Sequence, residues 1–326
     1  AIESLWFEAM FVGLRKLDEF AAWVGPHAVA AVITRMFQRG YPIWSIDYSN
    51  FDATVPGWLI YAAFDVLASV GILNQEDLRV VRFLNEHCRM CDLVTPCGRL
   101  SGRGHGIPSG SGLTNLLGCV VNLLVMEVAS ARFGFTILDT LVQGDDSATQ
   151  LIPHGKHPFD LEEVANFIKR RFGMTLHPDK QLVSSSEVRF LQNVHRASYQ
   201  VRGFNVGVRP IMRVLNGMMS YERFRPGWSA AMDSLRWIQQ VEAARYHPSY
   251  PEFVEFLSVH DKESTKPVPQ LISEAGGLEV VQELLSSNFH VGKTPVEMLE
   301  NTMTAHMLMT ITQGGDPRVY WSEHTH

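Results

Sequence analysis

Two pairs of aspartates in this chain could do chemistry. Asp47 and Asp52 lie five positions apart in WSIDYSNFDATVP, from Trp44 to Pro56, and Asp145 and Asp146 are adjacent in VQGDDS. Adjacent carboxylates raise the cost of ionising one another, and a two-residue turn is a tight place to hold them. A hairpin that needed only a turn would favour Asn-Gly or Asp-Gly, so Gly144-Asp145-Asp146 implies a compensating cation. Two divalent ions held about 3.5 to 4 Å apart would serve, activating an attacking oxygen and stabilising a leaving one at phosphorus. Hard oxygen donors favour Mg²⁺, with Mn²⁺ as the alternative, over zinc.

The other metal pattern is weaker. Cys88, Cys91 and Cys97 fall in HCRMCDLVTPCG, but the fourth ligand would have to be the adjacent His87 or the distant Cys119, and no second Cys-x2-Cys follows. Reduced cysteines in a helix end and a hairpin account for them better. Charge is uneven: the net charge is -6, yet Gln181 to Arg225 carries seven basic residues (Arg189, Arg196, Arg202, Arg209, Arg213, Arg223, Arg225) against Glu187 and Glu222. That segment is either a solvated face or a track for a phosphate backbone.

The elements that must position these residues follow from pattern. Residues 1 to about 40 read as two helices parted by Gly25-Pro26, and Tyr41 to Asp47 as a buried strand. Thr54-Val55-Pro56 reads as a helix entry, with Pro in the first turn of a helix reaching about Ser69 and Thr54 able to cap it. A helix from Asn74 to about His87 leads to a hairpin turning at Pro96-Cys97-Gly98. The run SGRGHGIPSGSG then feeds a long apolar helix from Leu113 to about Ala131. Thr136 to Val142 and Ser147 to Leu151 read as a hairpin with the paired aspartates at its tip. A helix ended by Gly173 follows, then strands Gln181 to Val183 and Val188 to Val194; beyond Pro210 the pattern is mostly helical. The 326 residues, 46% hydrophobic and 19% charged, suit a sizeable core and two subdomains. No uninterrupted apolar run reaches about 18 residues, so no membrane segment is expected.

The order of these signals resembles the palm of viral RNA-dependent RNA polymerases. Asp-x4-Asp after a strand is their motif A, Ser-Gly-x3-Thr opening a helix (Ser109, Gly110, Thr114) their motif B, and Gly-Asp-Asp in a hairpin their motif C. Lys180 in HPDKQ is similar to the motif D lysine, and Phe190-Leu191 to the motif E strand. FDATVPGWLI and PSGSGLTNLLGCVVN look closest to the polymerases of partitiviruses and picobirnaviruses. The resemblance spans about Ile43 to Val194 and implies an α+β fold, an antiparallel palm sheet packed on helices followed by a mostly helical thumb. It implies fingers-derived helices over 1–40, a palm over 41–200 with an inserted fingers segment near 70–105, and a thumb and C-terminal region over 201–326.

The resemblance also implies roles. Asp47 and Asp145 would be the principal ligands of two Mg²⁺ ions, with Asp146 secondary. Asp52 would read the ribose 2′-hydroxyl, or else cap a helix, helped by Ser109 and Thr114, with Gly110 giving the loop its pliancy. Many positive-strand polymerases place an asparagine four residues after the threonine, where this chain has Gly118. The sugar-reading asparagine is then Asn115 or Asn122, and the partitivirus-like pattern SGSxxT-x7-N favours Asn122. Lys180 would protonate pyrophosphate as it leaves, and Arg202, Arg209 and Arg213 would contact RNA phosphates.

Partners implied are an RNA template and product strand, NTPs and a viral capsid protein, in the host cytoplasm inside the particle. No basic fingers motif for the NTP triphosphate stands upstream of Asp47; the expectation is a piece of a longer chain. Rival readings are a reverse transcriptase, which would place an aromatic residue where Gln143-Gly144 stands, and a non-catalytic RNA-binding scaffold, which would not need the aspartates.

Overall fold

The run Ile43-Trp44-Ser45-Ile46 is buried along its whole length, as a strand in the middle of a covered sheet must be. In the computed structural model, which describes residues 2–71, 73–154, 160–220, 227–286 and 296–325, that run is β1, Ile43–Ile46. It is followed by β2 (Tyr48–Ser49), β3 (Leu93–Thr95), β4 (Gly98–Leu100), β5 (Phe135–Gln143), β6 (Asp146–Pro153), β7 (Thr175–Leu176), β8 (Leu182–Ser184) and β9 (Glu187–Phe190). The central sheet has the order β5-β6-β1-β8, and its neighbours are antiparallel. β2 and β7 form a separate antiparallel pair, as do β3 and β4.

Local chemistry sets the helices around this sheet. Helix Pro26–Arg39 has Pro in its first turn and stops at Gly40, in the left-handed region. Helix Gln75–Met90 starts from a full capping box: Asn74 accepts from the Glu76 and Asp77 amides, and Asp77 accepts from the Asn74 amide. Asp160 caps the start of helix Leu161–Phe172 by accepting from the Glu162 and Glu163 amides, and Gly173 ends it. Cys88 is buried near the end of helix Gln75–Met90, Cys91 follows that helix and Cys97 is exposed in the β3–β4 turn, all free thiols.

Helix Thr114–Phe133 is long and apolar enough to cross a bilayer, but 56% of its most apolar window is buried inside the protein. Leu116, Leu117, Val120, Val121, Val125 and Met126 lie in the same core as Trp44, Ile46, Tyr48 and Phe51. It is the central helix behind the sheet.

Two expected details differ. Pro56 stands just before helix Gly57–Val70, and the Thr54 hydroxyl donates back to the Asn50 and Phe51 carbonyls, so Thr54 caps nothing. The strand expected over Val188 to Val194 is broken at Leu191 and Gln192, which lie at φ 51° and 61°. Two successive left-handed residues make a turn of type I′ geometry, here without the glycine or asparagine that usually announces it.

The chain divides by contacts into two units, 1–191 and 192–326. Among its described residues the second holds β10 (Asn193–Arg196) and then mostly helices, from Ile211–Met219 through Ala230–Glu242 and Tyr250–His260 to Pro317–Thr325. Its core gathers Val214, Leu235, Ile238, Val254, Leu257, Leu271 and Met307. The buried Glu242 carboxylate is satisfied within it, accepting from the Tyr250 hydroxyl at 3.2 Å and from the amide and hydroxyl of Thr304 at 3.0 and 2.9 Å.

Candidate active site

β1 and β6 run antiparallel with Ile43 opposite Gln150 and Ile46 opposite Ser147. One step further along that register brings Asp47 level with Asp146, at the mouth of the β5–β6 turn. Asp47 and the Gly144-Asp145-Asp146 turn therefore meet at one end of the sheet, although about a hundred residues separate them. In that turn Gly144 has φ 63°, while Asp145 keeps an ordinary backbone. That is the demand of a type II′ turn, which wants glycine at its first central position. Turn chemistry alone thus explains Gly144, and the case for a cation rests on the carboxylates.

The electrostatics carry that case. Asp145 is exposed at the turn, yet burial on its protein side is the first cause that raises its carboxyl pKa, with the charges of Asp52 and Asp47 adding to it. Three carboxylates thus share one field. They are not gathered into a ready cluster: among the described residues no three His, Cys, Asp or Glu side chains stand together as a metal site. Asp47 is paired with the Lys180 ammonium, 3.3 Å from its Oδ1. An all-oxygen donor set, destabilised by its own negative charge, fits a hard divalent cation and does not fit zinc.

Asp47 is fixed chiefly through its main chain. The His177 amide donates to the Asp47 carbonyl at 2.8 Å, and the Gln181 side-chain amide to the same oxygen at 2.7 Å. Gln181 also donates to the His177 carbonyl at 3.1 Å and accepts from the Trp44 indole at 3.0 Å. The segment HPDKQ is thus a clamp on the end of β1. From sequence only Lys180 within it stood out; Gln181 carries no local signal for its contacts with Asp47 and Trp44, which are more than a hundred residues away.

Asp52 lies in the short helix Phe51–Thr54 and accepts from the Ser109 hydroxyl at 2.7 Å. The glycine-rich loop is strapped there by the Gly106 and Ile107 amides, which donate to the Val55 and Asp52 carbonyls, both at 2.7 Å. The structure so joins Asp52 to Ser109, beside Gly110. The Thr114 hydroxyl turns into its own loop, to the Pro108 and Ser111 carbonyls at 2.7 and 2.9 Å. Glu3, unforeseen from sequence, accepts from the Ser111 hydroxyl at 2.9 Å and the Gly112 amide at 3.0 Å.

One face of helix Thr114–Phe133 lies against the aspartate turn. Gly118 explains the departure from the common motif: a Cβ there would stand 3.1 Å from Gly144 Cα and 3.5 Å from the Phe51 ring. Cys119 accepts from the Gly144 amide at 3.1 Å, and burial pushes its thiol pKa up to about 12. Asn122 is buried and donates to the Gly144 and Asp145 carbonyls. Asn115 accepts from the Trp23 indole at 3.0 Å.

In the second unit, Arg202 lies at φ 51° in the turn joining Val201 to Phe204. Arg209 donates to Gln192 at 2.9 Å, yet its Nε is buried without a partner. Burial, then the charge of Arg213, lowers the Arg209 pKa. Arg223 and Arg225 lie outside the described residues.

An antiparallel sheet of this order, with aspartates on two neighbouring strand ends and a serine-glycine loop beside them, has the architecture of a polymerase palm. A family model described as viral RNA-dependent RNA polymerase matches residues 26–256, and the chain belongs to that family. The chain is 27% identical over 263 residues to a potential RNA-dependent RNA polymerase of human picobirnavirus, covering 78% of this chain and 48% of that protein. It is 30% identical over 163 residues to an RNA-directed RNA polymerase of Cryptosporidium parvum virus 1, covering 45% of this chain and 29% of that one. The chain therefore spans about half the length of the first relative and less than a third of the second. Its fold is similar to the crystal structure of a human picobirnavirus RNA-dependent RNA polymerase, with a TM-score of 0.77 at 24% identity, over 96% of this chain and 59% of that one. An insertion-loop deletion mutant of such a polymerase gives 0.73 at 26% identity, over 86% of this chain and 57% of that one.

Proposed function

We propose that this chain carries the catalytic centre of an RNA-dependent RNA polymerase, which joins the 3′-hydroxyl of an RNA strand to the α-phosphate of an NTP on an RNA template. The observation that carries this reading is the β1–β6 register, which brings Asp47 level with the Gly144-Asp145-Asp146 turn. Asp47 and Asp145 would hold two Mg²⁺ ions, or Mn²⁺, with Asp146 assisting. Such ions, when bound, supply activation of the attacking oxygen and stabilisation of the leaving pyrophosphate.

The chain's own residues have the remaining work. Asp52, tied to Ser109, is set to accept from a ribose 2′-hydroxyl, the group that separates RNA from DNA. Lys180 Nζ, beside Asp47, would give a proton to pyrophosphate as it departs. Arg209, desolvated and facing the charge of Arg213, would gain from a phosphate partner, and with Arg202 and Arg213 would bind RNA backbone. The setting we infer is the host cytoplasm inside the viral particle, with capsid protein as neighbour.

Replacing Asp145 by Asn in the full-length protein tests the reading. Incorporation of NTPs is expected to fall by ~10³-fold or more while RNA affinity stays close to wild type. Wild-type incorporation by D145N would sink the assignment.

A further inference from the structure

We propose that Asn122 is a positioning residue for Asp145 and takes no part in reading the sugar. The inference rests on the polymerase reading for its consequence, and on the geometry of the turn for its ground.

A side-chain amide has two N–H donors and one oxygen with two acceptor sites. Asn122 spends all four inside the protein. Its Nδ2 donates to the Gly144 carbonyl at 3.3 Å and the Asp145 carbonyl at 3.0 Å. Its Oδ1 accepts from the Tyr48 hydroxyl at 3.4 Å and the Ser147 hydroxyl at 3.3 Å. The residue is 1% exposed. Nothing is left with which to meet a ribose.

What Asn122 holds is the main chain that aims the Asp145 carboxylate. Two successive carbonyls of a tight turn cannot both find partners within the turn, and buried carbonyls without donors are costly. Asn122 supplies both donors from below. Cys119, one helical turn earlier, takes the Gly144 amide, and Gly118 lets the helix come close enough for both contacts. Positions 115, 118, 119 and 122 recur at helical spacing, so a single face forms this bed. Tyr48, buried beside the turn, completes it from β2. Of Asn115 and Asn122, Asn115 has its Oδ1 occupied by Trp23 and Cys119 and its Nδ2 beside Gly144, so of the two it is the one with an amide to spare.

The test compares Asn122→Ala and Tyr48→Phe with the wild type in the full-length protein. Hydrogen exchange over Gln143 to Ser147, followed without metal, needs no activity. It is expected to quicken by about tenfold in N122A and by less in Y48F, and only in the turn. Single-nucleotide kinetics with an rNTP and its matching dNTP give the second readout. In N122A kcat is expected to fall by ~10-fold or more, with KM little moved and the rNTP to dNTP preference unchanged. Half-maximal activity should also need more Mn²⁺. A collapse of that preference with turn exchange unchanged would overturn the proposal and return Asn122 to the sugar. Faster exchange spread evenly over the chain in both variants would overturn it too, as general destabilisation. If the wild type incorporates no nucleotide at all, the polymerase reading fails, while the exchange data still decide whether Asn122 holds the turn.

Discussion

The ends of β1 and of the β5–β6 hairpin carry the same kind of side chain and hold it by opposite means. Asp47 is gripped by a segment far along the chain, through the His177 amide and the Gln181 side chain on its carbonyl, and its carboxylate already has a cation in Lys180. Asp145 is gripped from beneath by a helix face, through Cys119 and Asn122 on its turn, and its carboxyl pKa is raised by burial and by Asp52 and Asp47. One aspartate has its charge answered and the other does not. A site meant only to be stable would neutralise both, so the asymmetry marks Asp145 as the place where added positive charge gains most.

The strongest way to break this comparison is to remove the cation at Asp47. Lys180→Met should lower the polymerisation rate by ~10²-fold, the scale of losing a general acid. It should also lower the Mn²⁺ concentration needed for half-maximal activity, because Asp47 no longer has an internal competitor. An unchanged metal dependence would mean that the 3.3 Å pair does not compete for Asp47.

Next in size is the sugar. Asp52→Ala should cut the preference for rNTP over dNTP by ~10-fold to 100-fold, since a site built to bond a hydroxyl rejects a ligand lacking it. Unchanged preference would leave the Asp52 to Ser109 bond as a brace for the glycine-rich loop.

Smaller still is the clamp. Gln181→Leu removes both donors from the Asp47 and His177 carbonyls and the acceptor for Trp44. It should cost about 1–3 kcal/mol in denaturant unfolding. The same loss in an Asp47→Ala background would show that the clamp serves the strand end rather than the carboxylate.

The smallest effect concerns pH. Because the folded-state pKa of Asp145 is raised, its contribution to stability is complete below the ordinary value of 3.8 and is lost as pH rises through the raised value. At neutral pH without divalent ions the ionised group therefore costs stability, and Asp145→Asn should melt higher by on the order of 1–2 °C. The gain should vanish as pH falls below 3.8, where aspartic acid is itself neutral. A gain that survives at low pH would assign it to something other than charge.

Local patterns in the sequence carried most of the elements, and they drew attention to the aspartates that the fold brings to one end of the sheet. Asn74 with Asp77 and Gly173 after an amphipathic run are one-dimensional signals, whereas only burial in the fold separates Thr114–Phe133 from a membrane span. What holds the site was hidden, for reasons of distance. Gly118 stood out as a departure from a motif, but its cause is the 3.1 Å approach to Gly144, which no local pattern encodes. Gln181 and Glu3 are ordinary polar residues until the fold brings them to Asp47 and to the Ser111 loop. Asn122 points to the sugar by its place in a motif, whereas its contacts with the Gly144-Asp145 turn, on the face shared with Gly118 and Cys119, appear only in the fold. The Leu191-Gln192 turn lacks the residue types by which such turns are read.

The most direct measurement is anomalous diffraction from crystals of the protein grown with Mn²⁺ and an NTP. A Mn²⁺ peak bonded to carboxylate oxygens of both Asp47 and Asp145, at about 2.0–2.4 Å, is the expected result. Peaks that touch only one of the two, or lie elsewhere, would contradict a shared two-strand centre.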